Sequence, residues 1–347
     1  MKTQRKQWAL ALSVGLVLSA CSTAPDELPT PIVQTPSGSE EATDETVSDN
    51  GASQSQRADQ VLEGISLALE TAYTERSTAN VLDRVGGPAK LMLDSMFANA
   101  ARFGDEGLES ISTTDADSTW STSTDFPRVA MVFTANAETG ANDQLLVLSQ
   151  SNGRQNYKLW GAADLVPADV DITFATDTDA IAKTFAETIA TSPEQAVTEF
   201  AMRLQGGETD VTFEEDPLTT SLYAQRDSIT ESLGGTGDVA LAGRALNHGP
   251  LSMATEDGGA VTMGAFEYDV TINRTTAGST ITVGDELAQW MTGEADSTYD
   301  VQGTLTSTYF VTVAFYIPPK GGGNVQIIAA STPELTNVTD NADNSPD

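Results

Sequence analysis

The sequence predicts an α+β fold made of two tandem units, each with helices followed by an antiparallel sheet. Apolar residues recur every three or four positions from Arg57 onward and every second position from Arg128 onward. The same order, helical segments and then strands, begins again at Ser192. Runs of helices followed by runs of strands are typical of α+β folds, whereas doubly wound folds alternate the two. Since 39% of the residues are hydrophobic, the chain is expected to form a packed core.

Residues 1–20 have the pattern of a signal peptide. Lys2, Arg5 and Lys6 form a positive start, and an uncharged, mostly apolar run extends from Trp8 to Ala20. This run of about 13 residues is shorter than the roughly 20 that a helix needs to cross a bilayer. The segment is therefore expected to direct export and then to be removed.

The end of this segment resembles a known processing motif. Leu18-Ser19-Ala20-Cys21 is similar to the lipobox of bacterial lipoprotein signal peptides. The resemblance implies that the Cys21 thiol receives a diacylglyceryl group, that cleavage occurs before Cys21, and that acyl chains hold the protein on the extracytoplasmic face of the cell membrane. The alternative is an ordinary signal peptide in which the cysteine is incidental.

Two segments have the composition of disordered chain. Residues 21–56 contain the lipidation candidate Cys21, four prolines and a polar stretch, with seven acids and no base after the cysteine. Such a composition buries little apolar surface, so this range is expected to be a disordered acidic linker. Residues 333–347 are expected to form a second disordered end.

The first unit is predicted to span residues 57–170. Val61, Ile65 and Leu69 would share one face of a first helix. Gly86-Gly87-Pro88 interrupts the pattern and begins a second helix, because proline is favoured in the first turn. Strands are predicted at 128–134, 144–150 and 155–165, with Asn152-Gly153 as the hairpin turn before the third.

The second unit is predicted to span residues 171–332. Ser192-Pro193-Glu194-Gln195 indicates a capping box at the start of a helix. Pro217 begins another helix, which Gly234-Gly235 ends. Strands are predicted at 239–246, 261–273, 304–317 and 324–330.

Two resemblances bear on this architecture. Helices on a strongly bent sheet resemble the cone-shaped fold of nuclear-transport-factor-two-like domains, which include the SnoaL-like polyketide cyclases, so each unit is expected to be cone-like. The mature chain is also similar to a family of actinobacterial envelope lipoproteins of uncharacterised function. The segments LVLSQ (146–150), YKLWG (157–161), PEQA (193–196) and VAFYIPP (313–319) carry this similarity. It implies a shared fold and no chemistry.

The sequence offers little for catalysis. A Ser-His-Asp or Cys-His site would need His248, the single histidine, which lies in the turn-like sequence Asn247-His248-Gly249-Pro250. Gly235-Thr236-Gly237 begins a dinucleotide-like pattern, but it follows a helix and enters a strand, the reverse of the required turn. The sequence therefore predicts no catalytic residue, cofactor site or metal ligand set, and a protein that is not an enzyme.

Two acidic clusters resemble the start of a calcium loop, and a third precedes a predicted helix. Residues 115–117 and 177–179 begin like calcium loops, but Trp120 stands where an EF-hand needs glycine, and Ile181 occupies the fifth position of the second. The acidic surface is also expected to bind divalent cations weakly, without a specific ligand set. The acids at 214–216 are expected at a helix N-terminus, where they complement the dipole.

Three aromatic residues have two interpretations each. Alternation in 261–273 places Tyr268 on an apolar face and directs Glu267 and Asp269 toward solvent. Tyr268 and Tyr309 are expected in the core, with the lining of a cavity as the alternative. Trp290 is expected to be buried, with an exposed anchor for a partner as the alternative.

Charge limits the partners. The chain has 17 Lys and Arg against 50 Asp and Glu, a formal net charge of −33, which disfavours nucleic acid. From Arg57 onward there are 14 basic and 43 acidic residues, so the acidity belongs mainly to the body. The sequence predicts a tethered binding or assembly factor for an envelope protein with a basic patch. The alternatives are a SnoaL-like small-molecule or lipid-handling enzyme and a solute-binding lipoprotein.

Overall fold

The computed structural model describes residues 32–34, 48–135, 142–175 and 188–347, with side chains from Arg57 onward. It confirms the α+β class. The helices are α1 (Ser48–Glu75), α2 (Gly87–Phe103), α3 (Pro193–Arg203), α4 (Pro217–Leu233) and α5 (Asp285–Thr292). None of the helices in the described ranges is long and apolar enough to cross a membrane.

Most strands belong to one antiparallel sheet. The strands are β1 (Ile32–Gln34), β2 (Ala116–Trp120), β3 (Arg128–Thr134), β4 (Gln144–Gln150), β5 (Lys158–Leu165), β6 (Asp171–Thr173), β7 (Gly237–Ala245), β8 (Leu251–Ala254), β9 (Ala260–Arg274), β10 (Thr282–Val283), β11 (Tyr299–Asp300), β12 (Thr304–Ile317), β13 (Gln326–Ala330) and β14 (Glu334–Asn341). The main sheet has the order β2-β3-β4-β5-β13-β12-β9-β7, with β14 paired to β12 and β8 paired to β9. β1 pairs with β6, and β10 pairs with β11.

The predicted helix starts are confirmed at α3 and α4. Ser192 Oγ accepts a hydrogen bond from Gln195 N at 3.1 Å, which caps α3. The Gln195 side chain donates to Glu199 and not back to residue 192, so half of the predicted capping box forms. Gly234 ends α4 at a φ of 58°, in the left-handed region that glycine adopts without strain.

The two predicted units, 57–170 and 171–332, share one sheet. β5 pairs with β13 through Leu165 and Ala329 and through Asp164 and Ala330. One buried cluster also combines residues of β3, β4 and β5 with residues of β8, β9, β12 and β13. This continuous sheet differs from the two separate sheets that the sequence pattern predicts. The reason is that alternation identifies a strand without identifying its neighbour.

The prediction that residues 333–347 are disordered is wrong, because residues 334–341 form β14. This strand pairs with β12 from Thr304 to Phe310, and its Leu335 and Val338 side chains are buried in the core. Its other side chains are largely polar, which is why composition alone resembles a disordered tail.

The start of the folded region also differs from expectation. α1 begins at Ser48, inside the range 21–56 that composition assigns to a linker, because residues 48–56 have no apolar period that would reveal a helix. The signal peptide, Cys21 and the rest of the linker lie outside the described residues, apart from the short strand β1.

Two glycines set the position of α3. Gly243 on β7 lies under the Ala201 carbonyl, and a Cβ at this position would overlap that oxygen. Gly264 on β9 lies under Val197 in the same way. Because both glycines lack a side chain, α3 packs directly against the sheet and its C-terminal end is held in place.

Candidate functional site

The segment between α3 and α4 forms one side of an open groove. The groove has a volume of about 930 Å³, and its lining includes Glu208, Thr212, Phe213, Glu214, Glu215 and Tyr223. A second hollow of about 520 Å³ shares Glu208 and Thr209 with it and continues along α3. We call these two hollows together the acidic groove.

Backbone hydrogen bonds hold this segment in place. Glu214 N donates to Val325 O and Val325 N donates to Thr212 O, both at 2.9 Å, so the segment runs beside the entry to β13. On the other side, Glu199 Oε2 accepts from Val211 N at 2.7 Å, which ties the segment to α3. The groove is therefore formed by a fixed loop and not by a free one.

Carboxylates dominate the groove. The exposed acids that line it are Glu194, Glu208, Asp210, Glu214 and Glu215. Among the described lining residues Arg203 is the one cationic side chain. Several carboxylates that line one groove create a negative potential that attracts cations.

The positive charge of Arg203 is neutralised by a buried carboxylate at the base of the groove. Its guanidinium donates to the carboxylate of Asp216 and to the hydroxyl of Thr219, and it lies 4.4 Å from the ring centre of Phe200 and 4.9 Å from that of Phe213. The side chains of Arg203 and Asp216 are 15% and 3% exposed. The positive charge is therefore part of the floor and is not free to bind an anion.

Asp216 also starts α4, as the sequence predicts for the acids at 214–216. Its Oδ1 accepts from Thr219 N at 2.8 Å, which caps the helix. Glu214 and Glu215 precede it and stay exposed at the groove, with Glu214 accepting from Asn324 at 3.0 Å. The sequence located this helix start but not the groove, which needs the loop and α3 as well.

Apolar surface lies between the carboxylates. Phe213 and Tyr223 are half-buried in the groove wall, and the Tyr223 hydroxyl donates to Arg203 O at 2.7 Å. Met202 lies in the second hollow and is 51% exposed. The groove thus combines negative charge with surfaces that can contact the aliphatic part of a long side chain.

A second acidic cluster surrounds a small cavity of about 20 Å³ near α2, which has room for about one water molecule. Glu109, Asp164 and Glu334 line it. Glu109 accepts from Thr332 at 2.6 Å and Asp164 accepts from Gln144 at 2.9 Å. Burial raises the pKa of Asp164, and burial raises the pKa of Glu334 to about 7. Sequence reasoning missed this cluster because its members come from three distant segments.

The remaining candidates from the sequence lie elsewhere. His248 is exposed in a turn, and Tyr268 and Tyr309 stack at 5.1 Å in the core, as expected. Trp290 is half-buried, with the Arg102 guanidinium 3.6 Å from its ring centre, so it packs within the chain. Cys21 is outside the described residues.

The structure shows no metal ligand set in the described ranges. No group of three or more His, Cys, Asp or Glu side chains in this part of the chain is placed to hold a metal ion. The calcium-like pair at 177–179 lies outside the described residues. Weak binding of divalent cations stays a prediction.

Comparison with known proteins places most of the fold in one family. Residues 127–339 match the family described as Domain of unknown function (DUF8094). The chain belongs to this family. The DUF8094 match runs from the start of β3 into β14, so it includes the acidic groove and strands of both predicted units, while α1, α2 and β2 precede it. No curated protein and no solved structure matches the chain.

Proposed function

We propose that this DUF8094 protein is a lipid-anchored, non-enzymatic binding protein of the cell envelope whose acidic groove holds a basic segment of a partner protein. The observation that carries the proposal is the arrangement of five exposed carboxylates around a groove. Among its described lining residues the one cationic side chain, Arg203, is neutralised by Asp216. A Lys- or Arg-bearing segment complements this charge.

The groove wall supports the same class of partner. Lys and Arg side chains have aliphatic stems that pack on apolar surface while their charged ends contact carboxylates. Phe213, Tyr223 and Met202 provide that surface beside Glu208, Glu214 and Glu215. A nucleic acid or an acidic lipid surface would meet repulsion at the same place.

The anchoring part of the proposal rests on the sequence. The lipobox-like Leu18-Ser19-Ala20-Cys21 supports attachment to the outer face of the cell membrane. Cys21→Ser is expected to abolish partitioning into the detergent phase and to leave a precursor of higher mass. Normal partitioning of this variant would contradict the anchor without affecting the groove.

The enzyme alternative receives less support. A SnoaL-like enzyme needs an apolar cavity of a few hundred Å³ with a buried ionisable group. The described cavity beside the buried Glu334 and the half-buried Asp164 has a volume of about 20 Å³, and the larger groove is open and acidic. These dimensions favour binding of a protein segment over turnover of a small substrate.

The groove is tested with a fluorescent peptide of alternating lysine and alanine. In a variant with Glu208, Glu214 and Glu215 all changed to glutamine, affinity should fall roughly tenfold, from about 0.5 kcal/mol for each exposed ion pair. The matched control changes Asp59 to asparagine and Glu63 and Glu70 to glutamine on α1, which are exposed and remove the same charge. Equal losses in the two variants would show general charge attraction and overturn the groove as the site.

A further inference from the structure

The start of β14 buries a carboxylate that the acidic groove does not use. Glu334 is 7% exposed, and its Oε2 accepts a hydrogen bond from Asn99 Nδ2 on α2 at 2.8 Å. In the described residues β14 has β12 as its strand partner, so it lies at an edge of the sheet. The contact between Asn99 and Glu334 therefore joins an edge strand to α2.

The ionisable groups that face Glu334 come from several elements. Glu109, in the segment after α2, and Glu286, on α5, repel a negative charge at Glu334. Tyr73 on α1 also faces Glu334, while Asp164 on β5 faces Glu109. None of the ion pairs in the described part of the chain includes Glu334. An ionised Glu334 is thus buried beside other acids without a cation.

The side-chain amide of Asn99, which contacts Glu334, lacks one hydrogen-bond partner among the described residues. Its Oδ1 is buried and receives no hydrogen bond from the described residues, while its Nδ2 donates to Glu334. A buried amide oxygen without a donor is destabilising. A protonated Glu334 carries an O–H group next to this amide, and a carboxylic acid pairs with a primary amide through two complementary hydrogen bonds.

Proton binding at Glu334 is linked to folding. Burial, with repulsion from Glu109 and Glu286, raises the pKa of Glu334 from its ordinary 4.5 to about 7, although the Asn99 hydrogen bond opposes the shift. The folded state therefore keeps a proton that the unfolded state releases above pH 4.5. The stability that this proton contributes is fully present below pH 4.5 and is lost as the pH rises through 7.

We propose that Glu334 and Asn99 form a pH-sensitive latch, which holds β14 against α2 while Glu334 is protonated and releases β14 when Glu334 ionises. Release exposes the edge of β12 that β14 covers, from Thr304 to Phe310. An uncovered edge presents unpaired N–H and C=O groups to another strand. The latch shares no residue with the acidic groove, so it stands independently of the proposed function.

Hydrogen exchange of the full chain tests the latch. For a group that titrates at about 7 when closed and 4.5 when open, the opening constant of β14 should rise about 30-fold between pH 5.5 and pH 8. The readout is the exchange of the Asn337 and Thr339 amides, which stand opposite Thr308 and Thr306 of β12, corrected for intrinsic rates. In Glu334→Gln, which cannot ionise, this constant should stay nearly unchanged over the same range. At pH 8 the opening constant of β14 in the wild type should exceed that of the buried Val132 amide on β3, because release of β14 leaves β3 folded.

Two results would overturn the latch. One is an equal pH dependence of β14 exchange in the wild type and in Glu334→Gln. The other is an equal opening constant for the β14 and Val132 amides at pH 8, which would show unfolding of the whole sheet in place of release of β14. If Glu334→Gln does not fold, the side-chain carboxyl of Glu334 is titrated by NMR in the wild type. A midpoint near 7 supports the latch, and a midpoint near 4.5 contradicts it.

Discussion

Replacing Arg203 with methionine perturbs the ion pair beneath the acidic groove. Methionine keeps an unbranched apolar side chain but removes the guanidinium that binds Asp216 and lies over the rings of Phe200 and Phe213. Asp216, which is 3% exposed, is then a buried carboxylate without its cation. Removing one partner of a buried pair typically costs 3–5 kcal/mol, and the remaining hydrogen bond from Thr219 N places the expected loss near the lower end, about 3 kcal/mol.

Urea unfolding measures this loss. With an m-value of about 3 kcal/mol/M, a loss of 3 kcal/mol lowers the midpoint by about 1 M. Asp216→Asn should have a smaller effect, because asparagine caps a helix as well as aspartate does and Arg203 keeps partial access to water. The double variant should show a coupling energy of about 1–3 kcal/mol, since the two side chains are in contact.

The matched control is Arg226→Met on α4. Arg226 pairs with Asp227, whose side chain is 68% exposed, so its loss should change stability by no more than about 0.5 kcal/mol. Equal midpoints for Arg203→Met and Arg226→Met, or a coupling energy near zero between Arg203 and Asp216, would refute the view that a buried ion pair supports the groove.

Two further substitutions test the packing around the sheet. Gly243→Ala should destabilise the protein by about 1–3 kcal/mol, because the added Cβ meets the Ala201 backbone oxygen. The control Gly107→Ala has free space around its Cβ and should leave the melting temperature nearly unchanged. Similar melting temperatures for the two variants would disprove the close approach of α3 to the sheet. Arg274→Ala removes a side chain, 8% exposed, that donates to Asp347 and to Gln302 O. We expect the backbone amides of residues 342–347 to exchange with solvent several times faster in this variant, and unchanged exchange would show that Arg274 does not hold this segment.

Helix boundaries were predictable where one residue marks the start or the end of the helix. Ser192 and Pro217 mark helix starts and Gly234 marks a helix end, because caps depend on neighbours within four positions. The predicted strand 304–317 matches β12 because it is rich in β-branched and aromatic residues and begins with threonines at every second position, 304, 306 and 308. The apolar strand faces likewise predicted Tyr268 and Tyr309 as core residues.

The strand pairing that joins the two predicted units was not predictable from such local signals. The pairing of β5 with β13 depends on which strand edges meet after folding, and alternation carries no information on that choice. β14 was missed because only Leu335 and Val338 of its buried positions stand out in a polar segment. Its strand character comes from the hydrogen bonds that the edge of β12 offers.

The candidate sites also depend partly on local sequence and partly on tertiary contacts. The acidic residues 214–216 predicted a helix start, but the groove exists because the loop after α3 pairs with Val325 beside β13. The sequence by itself determined the acidic charge, the lipobox-like start and the local helices and strands, since these depend on composition and on near neighbours. Only the tertiary structure decided that Glu334 faces Asn99 across 235 positions of the chain, because burial and pKa depend on the groups that folding brings together.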